Sequence, residues 1–157
     1  MISFRGIRGS IKFIILSDNL FMKVLHVTNS LVTGGAEKLI LDSLPLFNKK
    51  EVNVDLFLLN SYPFPFLKKL KENETIKIYS SKIKSIYNPL HVLKLIKIIN
   101  KYDIVHVHLF PSQYWVVLAK LISFSKVKLI FTEHCTTNRR MNSFLLRIIN
   151  KFVYHYY

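Results

Sequence analysis

The chain has 157 residues, half of them hydrophobic (50%) and one of them cysteine, which excludes both a disordered tail and a disulfide-stapled scaffold and gives the length of one domain. Its 23 basic residues against 9 acidic ones give a formal charge of +14, and such an excess implies an acidic partner or surface. No apolar run approaches the roughly 20 residues of a bilayer crossing, and no nucleic-acid-reading module or aromatic stacking platform is present, so nucleic acid is not an expected partner.

Arg5, Arg8 and Lys12 precede the short apolar run Phe13-Ile-Ile-Leu16. That run is too short for a signal-peptide core, and no small-residue cleavage site follows it. Residues 1–21 are therefore read as an extension, disordered or produced by a miscalled start, and residues 22–157 as the domain. From Met22 the run Lys-Val-Leu-His-Val-Thr28 is too continuously apolar for a half-wet strand and suits the middle of a parallel sheet. Gly34 and Gly35 then allow a turn where a Cβ would clash and leave amide N–H groups open beside a helix start, a position that attracts anions. A helix-start turn with no ligand is the alternative, since neither G-x-G-x-x-G nor a P-loop ending is present. Pro45 predicts a kink or early stop of that helix.

Strand two is expected at 52–59, a short helix at 64–71 and strand three at 76–79, where Lys77 points to a sheet edge. Pro89 suits the start of the next helix. It would carry His91, Lys94, Lys97 and Lys101 as a basic stripe opposite Leu93, Ile96 and Ile99. Strand four is expected at 103–109, a helix at 111–124, strand five at 127–133, and a last helix from Met141. In that helix Arg147, Lys151 and His155 lie beside Phe144, Leu145, Ile148, Ile149 and Phe152. Both stripes suit an anionic lipid surface, with a merely solvated helix face as the alternative. The strand–helix alternation predicts an α/β, doubly wound, Rossmann-like parallel sheet with right-handed crossovers.

Three stretches, in order, resemble the N-terminal domain of family-four glycosyltransferases, a large retaining group with the GT-B fold. They are Val27-Thr-Asn-Ser-Leu-Val-Thr-Gly-Gly-Ala-Glu37, Tyr102-Asp-Ile-Val-His-Val-His108 and Leu129-Ile-Phe-Thr-Glu-His134. The resemblance runs from about Met22 to the last residue and covers the first of the family's two domains. It implies the acceptor-side, N-terminal half of a GT-B enzyme, with the C-terminal donor-binding domain absent from this chain or supplied by a separate one. It also implies transfer of a sugar from a nucleotide-sugar donor to a glycan or lipid-linked acceptor, in polysaccharide biosynthesis such as lipopolysaccharide or capsule. The chain alone is then expected to be inactive, and a non-catalytic acceptor- or membrane-binding remnant is the alternative. The single cysteine favours the reducing cytoplasm, with peripheral attachment to the inner face of the membrane.

Ligands of doubly wound sheets sit beyond the carboxyl ends of the strands. The expected site residues are therefore Gly34, Gly35, His108, His134 and the segment Asn138-Arg139-Arg140. By the resemblance, His134 orients the sugar in the cleft. Glu37 lines the acceptor side near the donor diphosphate, and His108 reaches the cleft while His106 packs nearer the core. Glu37 also suits a plain capping role at the helix start, a strand-end His134 can instead bond backbone, and the two arginines can sit in a solvated loop. His106 and His108 share one strand face, but no third ligand stands at metal-site spacing and Cys135 is alone, so no metal and no cofactor are expected.

Overall fold

The computed structural model describes residues 22–48, 50, 52–134 and 144–157, without the side chains of Asn48 and Leu145. The expected extension, Cys135, Met141 and the segment Asn138, Arg139 and Arg140 lie outside the described residues. Five strands and five helices alternate: β1 (Lys23–Thr28), α1 (Gly35–Asn48), β2 (Asn53–Leu58), α2 (Pro65–Lys71), β3 (Ile78–Ser80), α3 (His91–Ile99), β4 (Ile104–His108), α4 (Ser112–Ile122), β5 (Lys128–Thr132) and α5 (Phe144–Tyr154). Every described pairing is parallel, in the order β3-β2-β1-β4-β5. The doubly wound prediction holds, and β3 is the edge that Lys77 pointed to.

Alternation along the strands divides the core in two. Leu25, Val27, Val105, Val107 and Leu129 face one side, against Val92, Leu95 and Ile99 of α3, Val116 and Val117 of α4, and Val153 of α5. Val24, Val54, Leu56 and Leu58 face the other, against Ile40, Leu41 and Leu44 of α1 and Leu67 and Leu70 of α2. Burial on both faces explains why β1 reads as continuously apolar.

Two local expectations change. Helix α1 continues through Pro45 to Asn48, so the proline is no stop; so close to the helix end its ring removes one hydrogen bond that few further turns depend on. His91 is not part of a basic stripe, being fully buried. Its Nδ1 meets Ser81 Oγ at 2.6 Å and its Nε2 meets the Ser85 carbonyl at 2.8 Å, so it ties the chain before α3 to that helix. Lys94, Lys97 and Lys101 are exposed. Leu93, on the predicted apolar side, is 57% exposed because the buried face of α3 is Val92, Leu95, Ile98 and Ile99.

Candidate functional site

Because all five strands run the same way, the segments following Thr28, His108 and Thr132 leave the sheet at one rim. Asn29 binds the first two of these together. Its Nδ2 donates to the Phe110 carbonyl at 2.6 Å, and its Oδ1 accepts from Ser112 Oγ at 3.2 Å. Leu109 turns through a left-handed conformation, φ 65°, unusual for a residue that carries a Cβ. Ser112 Oγ also reaches the carbonyls of His108 and Leu109, at 2.7 and 2.8 Å, and so helps hold that turn.

Below this rim the imidazoles gather. Parallel register places His26 of β1 beside His106 of β4, and alternation points His26, His106 and His108 to the α1 and α2 side of the sheet. His26 Nδ1 lies 3.0 Å from His108 Nε2, and His108 Nδ1 lies 3.1 Å from His134 Nε2. The rings of His26 and His108 stack with planes 13° apart. A neutral imidazole donates from one nitrogen and accepts at the other, so His26, His108 and His134 form a continuous N–H···N column from mid-sheet to the rim. His106 Nε2 pairs with Thr132 Oγ1 at 2.8 Å, beside the column.

Burial decides the charge of this column. His26 and His108 are 4% and 3% exposed. Loss of solvent, and then repulsion from His106, holds His26 down at about 3. The same loss of solvent, followed by repulsion from His106, His26 and His134, holds His108 down at about 2. Burial first and His134 second also lower His106. These three rings are neutral at physiological pH.

One expectation is corrected: His108, lying beneath His134, is the more buried of the pair, and His106 the more exposed. His108 is enclosed between the His26 ring of β1 on the mid-sheet side and the His134 ring on the rim side. His26 itself is the residue that spacing along one strand could not reveal. The visible signal was an imidazole inside an otherwise apolar central strand, and only the β1–β4 register turns it into a neighbour.

The paired glycines also separate. A Cβ on Gly34 would lie 2.3 Å from Glu37 Oε2, whereas one on Gly35 would meet nothing within 4 Å. Gly34 ends the turn, since its N–H bonds the Val32 carbonyl at 3.0 Å and its carbonyl accepts from Lys38 N at 2.9 Å. Glu37, 8% exposed, folds back over it in the first turn of α1, where a carboxylate is favoured by the helix dipole. Replacing Gly35 by Ala should therefore leave stability unchanged or raise it by up to about 1 kcal/mol, while Gly34→Ala should lower it by about 1 kcal/mol as the carboxylate is displaced. Urea denaturation of the two variants checks the contrast. Equal effects would show that Glu37 does not occupy that position.

Two open clefts, of about 570 and 640 Å3, lie away from the rim and contain no histidine. One is lined by Leu41, Pro45 and Leu70 between α1 and α2, the other by Met22, Asp103 and Lys128 at the amino-terminal edge of the sheet. Near the rim, among the described residues, three polar atoms are buried without a hydrogen-bond partner: Thr28 Oγ1 and both amide atoms of Gln113.

Residues 33–157 match the family model described as Glycosyltransferase Family 4. Among solved structures, the Anabaena protein Alr3699/HepE, crystallised in complex with UDP and glucose, aligns with a TM-score of 0.58 at 17% identity. The alignment covers 84% of this chain and 35% of that one, so the chain spans about a third of that protein's length. At this identity the likeness shows the fold alone. No curated protein sequence matches the chain.

Proposed function

Because the chain belongs to Glycosyltransferase Family 4, we propose that it forms the acceptor-side wall of a retaining sugar transferase, which moves a sugar from a nucleotide-sugar donor to a glycan or lipid-linked acceptor. The observation that carries this reading is the column of neutral imidazoles ending in His134 on the rim where doubly wound sheets bind ligands. The Anabaena structure, with UDP and glucose bound, supports a nucleotide sugar as donor. In front-face transfer the leaving diphosphate takes the acceptor proton, so the protein's work is to hold groups in place and offset charge growing on the phosphate. His134 presents a ring nitrogen to a sugar hydroxyl, with its other nitrogen held by His108. The N–H groups of the first turn of α1, beyond Gly34, face the same rim and suit the diphosphate. The transfer step so described routes nothing through a metal.

The surface opposite the α1 and α2 face supports a membrane-side location. Along α5, Phe144, Ile148 and Phe152 are 75%, 52% and 52% exposed, flanked by exposed Arg147, Lys151 and His155. An apolar stripe beside a basic one suits the inner face of an anionic membrane, where each Lys or Arg contributes on the order of 1 kcal/mol. No helix among the described residues is long and apolar enough to cross a bilayer.

The reading is tested by transfer of radiolabelled sugar from a nucleotide donor. The 157-residue chain alone should show no turnover, and a donor-binding domain of the family's type, joined or added in trans, should produce it. Robust turnover by the chain alone would overturn the division of labour. A folded two-domain protein that binds acceptor without transferring sugar would favour the non-catalytic remnant.

A further inference from the structure

His26, His106 and His108 each offer a ring nitrogen, and these three atoms lie within 4.8 Å of one another. From this geometry we propose that the three imidazoles form a binding site for a divalent transition-metal ion of the zinc class, bridging the central strands β1 and β4 below the rim. The proposal is independent of sugar transfer: it assigns the ion to the scaffold under His134, not to the reacting groups.

Three observations carry it. Two nitrogens bound to one tetrahedral zinc at about 2.0–2.1 Å stand about 3.4 Å apart, and the 3.0 Å between His26 Nδ1 and His108 Nε2 is close to that spacing. A small outward movement of either ring replaces their N–H···N bond by two bonds to the ion. Metal-bound histidines usually have the far nitrogen held by a hydrogen bond that fixes the ring, and two of the three already do. His108 Nδ1 is paired with His134 at 3.1 Å, and His106 Nε2 with Thr132 Oγ1 at 2.8 Å, which leaves His106 Nδ1 for the ion. Finally, the ligands sit on paired strands, so no loop has to order before binding. Access is available from the β5 side, where His106 and Thr132 are half-buried and Ile130 is 45% exposed. An all-imidazole set suits zinc, copper, nickel or cobalt and does not suit magnesium or calcium, which require oxygen ligands.

The test is titration of the tag-free, chelator-stripped 157-residue chain with zinc and with cobalt(II) at pH 7.5. One equivalent should bind with a dissociation constant below about 1 μM, raising the melting temperature by mass action and giving cobalt the intense visible bands of a four-coordinate site. His26→Gln and His106→Gln should each weaken binding at least about 100-fold, and His155→Gln on the surface should not. Because a ligand variant can fail to fold, imidazole 15N spectra of the unaltered chain supply a second readout, in which zinc should move His26, His106 and His108 and leave His155 in place. Absence of a stoichiometric site, binding lost in His155→Gln but kept in both ligand variants, or magnesium bound as tightly as zinc would each overturn the proposal.

Discussion

In a two-domain transferase containing this chain, His134→Ala should lower kcat/KM for sugar transfer by about 100-fold or more, with unchanged circular dichroism. The magnitude follows from what is lost. A group that positions a reacting hydroxyl contributes through alignment, and misplacement of about 1 Å is enough for a hundredfold loss. The residue is half-buried at the rim, and its ring is fixed through His108. His134→Asn or His134→Gln keeps a hydrogen-bonding side chain there and should recover part of the rate. His108→Leu acts only through its neighbour, so it should reduce kcat more than it changes KM. A full rate in His134→Ala would show that the histidine serves the fold alone.

Acid should unfold the metal-free chain unusually early. His26 and His108 have folded-state values near 3 and 2, against about 6.5 for an unperturbed histidine. A base whose folded value is depressed is neutral in the native state but charged in the unfolded chain below 6.5. Its contribution is therefore complete above pH 6.5, declines as pH falls, and is fully lost only near the folded value. Each ring contributes a slope of about 1.4 kcal/mol per pH unit, so the two remove about 5 kcal/mol between pH 6.5 and 4.5. Domains of this size have only about 5–15 kcal/mol in total, so acid unfolding should set in at about pH 4–5. Urea titrations at pH 5 to 7 with chelator present measure the slope, and His26→Phe should reduce it by about one proton. A flat profile over that range would mean that the rings are already charged in the native protein.

Much of this fold is legible in the sequence. The apolar continuity of 23–28, the turn at Gly34 and the alternation of strands with helices are local signals, and each strand lies within a few residues of its expected place. What escaped depends on register and on helix phase. His26 becomes a neighbour of His106 only when β1 and β4 pair with those two residues side by side. The same pairing buries His108, which the family likeness had assigned to the cleft. His91 looked like one more cation on a striped helix, yet Ser81 and the Ser85 carbonyl capture both of its nitrogens. Gly34 and Gly35 read alike as letters, and only the fold of Glu37 over the first distinguishes them.

His26, His108 and His134 form one column, whose outer end we propose meets the sugar nucleotide. Imidazole 15N spectra of the two-domain protein, recorded with and without nucleotide sugar, test it most directly. A coupling across the His108–His134 hydrogen bond and a ligand-induced shift at His134, with His155 unmoved, are the expected result. A shift at His155 alone, or no response at any of the strand-end imidazoles, would contradict it.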